Sequence, residues 1–256
     1  MAPSVDLNCD MGESFGAWRL GADAAIMPSI TSANIACGFH AGDPGVMRAT
    51  VRLASDAGVA IGAHPGFPDL AGFGRREMGM SEADVQDMVL YQVAALAGFA
   101  RAAGATLTHV KPHGALYNMA ARDRRLSDAI ARAVASFDPA LVLFGLAGSV
   151  MLEAGRDAGL RVAAEGFADR GYEPDGSLTP RSAPDSVLHD PVAVASRAVR
   201  MIRDGIVTAS DGRDVPLQID TICVHGDTPG ADVSARELRR ALTGAGIAIR
   251  AVGDQA

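Results

Sequence analysis

Residues 108–118 read THVKPHGALYN. Leu107, Thr108 and Val110 have the composition of a short buried strand, and Pro112 ends it because proline has no N–H to give a central ladder. Side chains alternate faces along a strand. His109, Lys111 and, across the proline, His113 are therefore set toward one side. Three ionisable groups on one face of a buried strand are costly unless they line a polar cavity. The stretch reads either as one wall of an active site or as a strand end whose polar groups are satisfied by neighbours.

Its surroundings bear on that choice and on the fold. Short apolar strands running into polar residues recur along the chain. Val5–Cys9 leads to Asp10, Ile30–Cys37 to His40, Val59–Ala63 to His64, Arg161–Ala164 to Glu165, and Ile219–Val224 to His225 and Asp227. Leu141–Leu146 is a further strand. Helices are expected between them: Leu20–Met27 with Pro28 ending it, Pro44–Ala57, Glu82–Ala103, Arg124–Ala135, Ser149–Ala158, Val192–Arg203 and Ser234–Leu242. Asp43 before Pro44 is an N-cap followed by proline at the first helical position, and Ser81 caps the helix that follows it. Ile206–Val215 is a turn-rich excursion, and Ile247–Val252 a terminal strand or edge segment. Tyr117 and Asn118 either orient a ligand or start a helix. The long loops 64–78 and 166–186 exceed ordinary connections, which points to function.

A βα unit repeated about seven times reads as a parallel sheet. No Pro/Gly/Ser linker divides the chain, so residues 1–256 are expected to form one domain. A barrel fits better than an open doubly wound sheet. It gathers every strand end on one face, where barrel active sites lie, whereas an open sheet concentrates function at one switch point.

Composition sets outer limits. The 256 residues are 48% hydrophobic and 21% charged, as in an ordinary globular protein with a sizeable core. A net charge of −7, a pI of about 5.3 and 5% aromatic residues argue against a nucleic-acid surface. Three scattered cysteines make no disulfide framework. The N-terminus has neither the basic region nor the apolar run of a signal peptide, so a cytoplasmic protein is expected.

Asp6, Asn8 and Asp10 share one face of the first strand; Thr221, Cys223 and His225 share one face of the last. With these faces inward, Lys111 opposite Asp10 or Glu165 is the natural buried ion pair. Asp10, His64, Lys111, His113 and Glu165 are the candidate catalytic groups: carboxylates and imidazoles for acid–base work, ammonium for developing oxyanion charge. Asn8, Glu13, Asn34, His40, Asp43, Tyr117, Arg170, His225 and Asp227 are the candidate substrate-binding residues. His40, His64 and Asp10 also fit a metal that activates water, although HExxH and CxxC are absent. So are a Walker A loop, a GxGxxG after a strand and a GxSxG elbow. Cys9 and Cys37 read as core thiols, Cys223 less clearly so, and His109, deeper in its strand, as structural.

Seven segments carry a resemblance: DLNCDMGESFG at 6–16, SANIACGFHAGDP at 32–44, IGAHPGFPDLAGFGRR at 61–76, HVKPHGALYN at 109–118, EGFADRGY at 165–172, DGSLTPR at 175–181 and VHGDTPGA at 224–231. In this order and spanning nearly the whole chain, they resemble the LamB/YcsF family, the A subunits of 5-oxoprolinases. The resemblance implies a seven-stranded (β/α) barrel of the glycoside hydrolase/deacetylase type. It implies ATP-dependent opening of the lactam of 5-oxo-L-proline to L-glutamate, with ATP as co-substrate and subunits B and C as partners. Phosphorylation of the lactam oxygen would make it a leaving group for attack by water, with Asp10 or a histidine as base and Lys111 and Arg170 on phosphate or carboxylate. Two rivals stand beside this: a metal-dependent deacetylase or amidohydrolase without ATP, and a non-catalytic subunit that binds substrate or docks the partners.

Overall fold

The computed structural model describes residues 3–180, 183–184, 186–224 and 230–253. Seven parallel strands form the barrel: β1 (Ser4–Met11), β2 (Ser32–Ala36), β3 (Ala60–His64), β4 (Leu107–Val110), β5 (Val142–Leu146), β6 (Arg161–Phe167) and β9 (Thr221–Val224). They pair in that order, and β1–β9 pairing closes the ring. Because β9 reaches β1 only from Asp6 onward, the β1 start is free to take a short extra strand, β10 (Ala248–Ile249), opposite Ser4 and Val5. An antiparallel hairpin, β7 (Ile206–Thr208) with β8 (Asp214–Pro216), is the turn-rich excursion.

Helices cover the outside: α1 (Asp23–Ile26), α2 (Pro44–Asp56), α3 (Glu82–Ala102), α4 (Gly114–Ala120), α5 (Arg124–Phe137), α6 (Val150–Asp157), α7 (Pro191–Asp204) and α8 (Ala231–Gly244). Three differences from the sequence expectation have physical reasons. Pro28 does not end a helix but opens a 3₁₀ turn, Met27–Ser29, where its missing N–H is no loss. The short helix α4 is extra; Gly114, with φ +56°, turns the chain sharply off β4 into it. β6 runs on to Phe167, so Glu165 lies within the strand, paired with Thr221, rather than at its end.

Register explains the barrel's two faces. In parallel pairing, Asn8 lies opposite Ser32, Asp10 opposite Asn34, Asn34 opposite Gly62 and Gly62 opposite His109. Asp6 meets Thr221 and Asn8 meets Cys223. This parity is the interior, and it is polar. The other parity, Leu7, Cys9, Ile35, Ile61, Val110, Leu143 and Ile222, belongs to the continuous apolar core. Inside, Val142, Phe144 and Ala163 form a small separate apolar cluster, and His109 stacks on Phe144 with ring centroids 4.3 Å apart. Gly62 makes room for that imidazole: a Cβ there would fall 2.0 Å from His109 Nε2. Among the described residues, no helix is long and apolar enough to cross a membrane.

Candidate active site

The interior is a hydrogen-bonded column rising from Asp6 to Lys111. Asp6 Oδ1 accepts from the Thr31 and Ser32 hydroxyls, each at 2.7 Å, and Oδ2 accepts from Thr221. Burial pushes its carboxyl up to about 6 despite these donors. One layer up, Asn8 Nδ2 donates to Glu165 Oε1 at 2.9 Å and to Thr221 Oγ1 at 2.7 Å. Asn34 Nδ2 donates to Asn8 Oδ1 at 2.7 Å and to Asp10 Oδ1 at 2.8 Å. His109 Nε2 donates to Asn34 Oδ1 at 2.8 Å. Burial, helped by the Lys111 charge, lowers His109 to about 3 and leaves it a neutral, structural ring.

Lys111 sits on top of the column. Its ammonium lies 2.9 Å from Asp10 Oδ1 and 2.8 Å from Glu165 Oε1, so both expected pairings form at once. It also reaches Asn8 Oδ1 at 3.2 Å and Cys223 Sγ at 3.1 Å. Burial opposes the charge, but Asp10, Cys223 and Glu165 outweigh it and hold the ammonium well above its ordinary range. Asp10 is partly buried and so desolvated, yet His64 and Lys111 keep its carboxyl well below the usual carboxylate range. Together these groups are one charged lysine between two carboxylates.

The histidines lie beside it. His113 precedes α4; its backbone N–H donates to the Pro65 carbonyl at 2.8 Å, prolonging the β3–β4 pairing past Pro112. His64 Nδ1 donates to the Lys111 carbonyl at 2.7 Å, and its Nε2 lies 3.3 Å from Asp10 Oδ2. His40 stacks on His113, planes 1° apart and centroids at 3.8 Å. Burial lowers His113 to about 3 and His40 well below its ordinary value. Glu13 follows the left-handed turn at Gly12 and places Oε1 3.7 Å from His113 Nδ1. Among the described residues, one donor atom of Glu13 and one each of His40, His64 and His113 are close enough together to share an ion; Asp10 stands outside that set.

Above lies a cavity of about 900 Å³. Asp10, Glu13, His64, Lys111, His113, Tyr117 and Arg170 line it. Asn8, Asn34 and Glu165 lie beneath, holding Lys111 and Asp10, and His40 is buried behind His113. Asp43 is away from the cavity. Its carboxylate accepts the N–H groups of Gly45, Val46 and Gly16, so the capping signature, not ligand binding, describes it. Arg170 Nε and Nη2 donate to the Ser186 and Thr179 carbonyls, which makes it a brace for the cavity wall. His225 and Asp227, and the loop arginine Arg181, lie outside the described residues.

Several lining residues had no sequence-level assignment. Arg75 stands over the Phe73 ring at 4.9 Å, and the long Gly/Pro-rich loop that carries it was the available signal. Arg122 and Glu77 form an ion pair at the rim, 2.8 Å apart. Ser149 precedes α6 with its hydroxyl buried and without a hydrogen-bond partner among the described residues, while the buried Tyr117 hydroxyl lies beside Glu165; burial first and that carboxylate next hold its phenol well above the ordinary range.

The LamB/YcsF family profile matches residues 5–256. The A subunit of the 5-oxoprolinase of Methylococcus capsulatus is 55% identical over 253 residues, covering 99% of this chain and 97% of that one. That of Bacillus subtilis is 54% identical over 251 residues, covering 98% of each. The crystal structure of the lactam utilization protein from Thermus thermophilus superposes with a TM-score of 0.93 at 53% identity, covering 97% of this chain and all of that one. A peptidoglycan deacetylase from Bacillus subtilis, 12% identical with a TM-score of 0.51, shares the barrel alone. With the profile spanning the chain and relatives matched end to end, the chain belongs to the LamB/YcsF family.

Proposed function

We propose that this chain is the A component of an ATP-dependent 5-oxoprolinase that works in the cytoplasm with subunits B and C and opens 5-oxo-L-proline to L-glutamate. The observation that carries the reading is the buried Asp10–Lys111–Glu165 group at the floor of the cavity, in a chain matched over its full length by proteins named as the A subunits of 5-oxoprolinases.

An unactivated lactam carbonyl is a poor electrophile. Transfer of the ATP γ-phosphoryl group to the lactam oxygen gives ADP and an O-phosphorylated ring carbon that water can attack. Loss of phosphate at that stage would only restore the lactam. The productive path breaks the C–N bond, with the ring nitrogen taking a proton, and leaves an acyl phosphate on the side chain. A second water then releases phosphate and glutamate. Two waters, one lactam and one ATP therefore give glutamate, ADP and phosphate.

This chain's residues suit the water attack. Asp10 Oδ1 is held by Lys111 and Asn34, while Oδ2 faces His64 at the cavity floor. Its carboxylate stays ionised and accepts a hydrogen bond from the attacking water, orienting it and drawing off its proton as the C–O bond forms. The Lys111 ammonium is fixed where negative charge on oxygen develops, and its surroundings do not reorganise to meet that charge. His64 lies against Asp10 Oδ2, and His113 stands behind it, 3.0 Å from His64 Nε2. Tyr117 contributes to the cavity wall. The substrate carboxylate or the phosphate falls to an arginine of the cavity wall such as Arg170. The cavity exceeds what a five-membered ring fills, which leaves room for the phosphoryl donor.

The test is reconstitution. Subunits B and C with this chain should release glutamate and phosphate from 5-oxo-L-proline in a 1:1 ratio, only with ATP present. Glutamate release without ATP would favour the metal-dependent amidohydrolase instead, the reading that the Glu13–His40–His64–His113 cluster supports. Undiminished release without this chain would remove it from the reaction.

A further inference from the structure

His64 and His113 meet in a way that two neutral imidazoles alone do not favour. His64 Nδ1 is 2.7 Å from the Lys111 carbonyl oxygen, and His113 Nε2 is 2.8 Å from the Phe73 carbonyl oxygen. A carbonyl oxygen only accepts, so each of these nitrogens carries the ring hydrogen. The remaining nitrogens, His64 Nε2 and His113 Nδ1, then present lone pairs to each other across 3.0 Å. A positive charge belongs between them.

The surrounding groups indicate what kind. Glu13 Oε1 is 3.7 Å from His113 Nδ1. His40 is 1% exposed, and neither of its ring nitrogens has a hydrogen-bond partner among the described residues. An imidazole buried in that state costs about 1–3 kcal/mol per orphaned group unless a ligand meets it. One donor atom from each of Glu13, His40, His64 and His113 lies within 4.8 Å of the others. An ion with bonds of about 2.1 Å in tetrahedral coordination holds its donors roughly 3.4 Å apart. The observed 3.0 and 3.7 Å bracket that spacing.

We propose that Glu13, His40, His64 and His113 form a binding site for one divalent transition-metal ion. Imidazole nitrogens with one carboxylate and no thiolate suit zinc, manganese, cobalt or nickel rather than calcium or magnesium, which want oxygen. The two carbonyl bonds are the outer supports such ligands need, since they fix which nitrogen faces the ion. The loop at Gly74 closes over the cluster: a Cβ there would fall 2.8 Å from both His113 Cδ2 and His40 Cβ. Asp10, 3.3 Å from His64 Nε2, adds a second negative charge beside the ion without belonging to the tight set. The site depends on these side chains alone and stands independently of the lactam reading.

The experiment uses the full chain, stripped with a chelator, desalted and titrated with Zn²⁺ and Co²⁺ by calorimetry and visible absorption. One equivalent should bind, and Co²⁺ should show the d–d bands of nitrogen–oxygen coordination. His64→Gln and His113→Gln should each lower affinity at least 100-fold, while His189→Ala, at an exposed residue outside the cluster, keeps one equivalent. Should the variants fail to fold, ¹⁵N spectra of the wild-type imidazoles decide: Zn²⁺ must move His64 Nε2 and His113 Nδ1 and leave His109 in place. Absence of stoichiometric binding, unchanged uptake by the His64/His113 double variant, or Zn²⁺ leaving both rings unmoved would overturn the site and leave a shared proton between the two histidines.

Discussion

Lys111→Met removes one charge from the centre of the barrel and keeps most of the side-chain volume. The lysine is 2% exposed and is paired within 3 Å with Asp10 and with Glu165, which is itself fully buried. Without it, Asp10 and Glu165 share the barrel interior without the ammonium that now bridges them. Removing one partner of a buried ion pair costs about 3–5 kcal/mol, because the charge left behind is uncompensated. For a chain of this size 1 kcal/mol moves the melting temperature by about 2–4 °C, so Tm should fall by roughly 6–20 °C at pH 7. The deficit should shrink in acid. Asp10 has a depressed folded pKa, so its contribution is present above the unfolded value of 3.8 and is lost as pH falls through the folded value. In the variant Asp10 has lost a counter-charge and that contribution is weakened, so the two proteins converge as pH falls below about 4. Circular dichroism melts between pH 3 and 8 measure this. The double variant Lys111→Met/Glu165→Leu should recover part of the loss, because it removes a stranded charge together with its partner. A Lys111→Met melt within 1 °C of wild type at pH 7 would refute the picture of a charged lysine bridging two buried carboxylates.

Other sites give sharper local tests. Asp6 should titrate near pH 6 by carboxyl NMR. Its folded pKa is raised, so its stabilising effect is complete below the unfolded value and is lost as pH rises from about 4 to 6, a change of about 3 kcal/mol; a titration near 4 would contradict the buried column. His109, lowered to about 3, does the reverse: stability is lost as pH falls from 6.5, and its ring signals should stay neutral down to about pH 4. Gly62→Ala should destabilise by about 1–3 kcal/mol through its clash with His109, and an unperturbed melt would show that the imidazole lies elsewhere.

The barrel was legible because period-2 alternation does two jobs at once. Leu7, Cys9 and Val110 on one parity and Asp10, His109 and Lys111 on the other say which face is core and which is interior, and the repeated βα unit says the strands are parallel. The pairing of Lys111 with carboxylates followed from burial alone. What stayed hidden depends on where the chain turns. Glu165 sits inside the strand rather than at its end because β6 runs on past it through Gly166 and Phe167. Asp43 carried its true role in the Asp–Pro signature, and the N–H of Gly16, from a distant loop, completes it. The apposition of His64 and His113 needed the Lys111 and Phe73 carbonyls, which no spacing rule brings together. Cys223 looked ambiguous because it shares a face with His225, and it proves to lie against the Lys111 ammonium.

The central claim is that the lactam opens at the mouth of this barrel, and Asp10→Asn tests it most directly. The amide keeps the side chain's size and can still accept from Lys111 and Asn34, but it cannot take a proton from water. The variant should assemble with subunits B and C as wild type does and release glutamate from 5-oxo-L-proline with ATP at least 100-fold more slowly, the contribution of a positioned base being about 10²- to 10⁴-fold. An assembled Asp10→Asn complex that releases glutamate at the wild-type rate would contradict the account and leave the chain a docking or substrate-holding subunit.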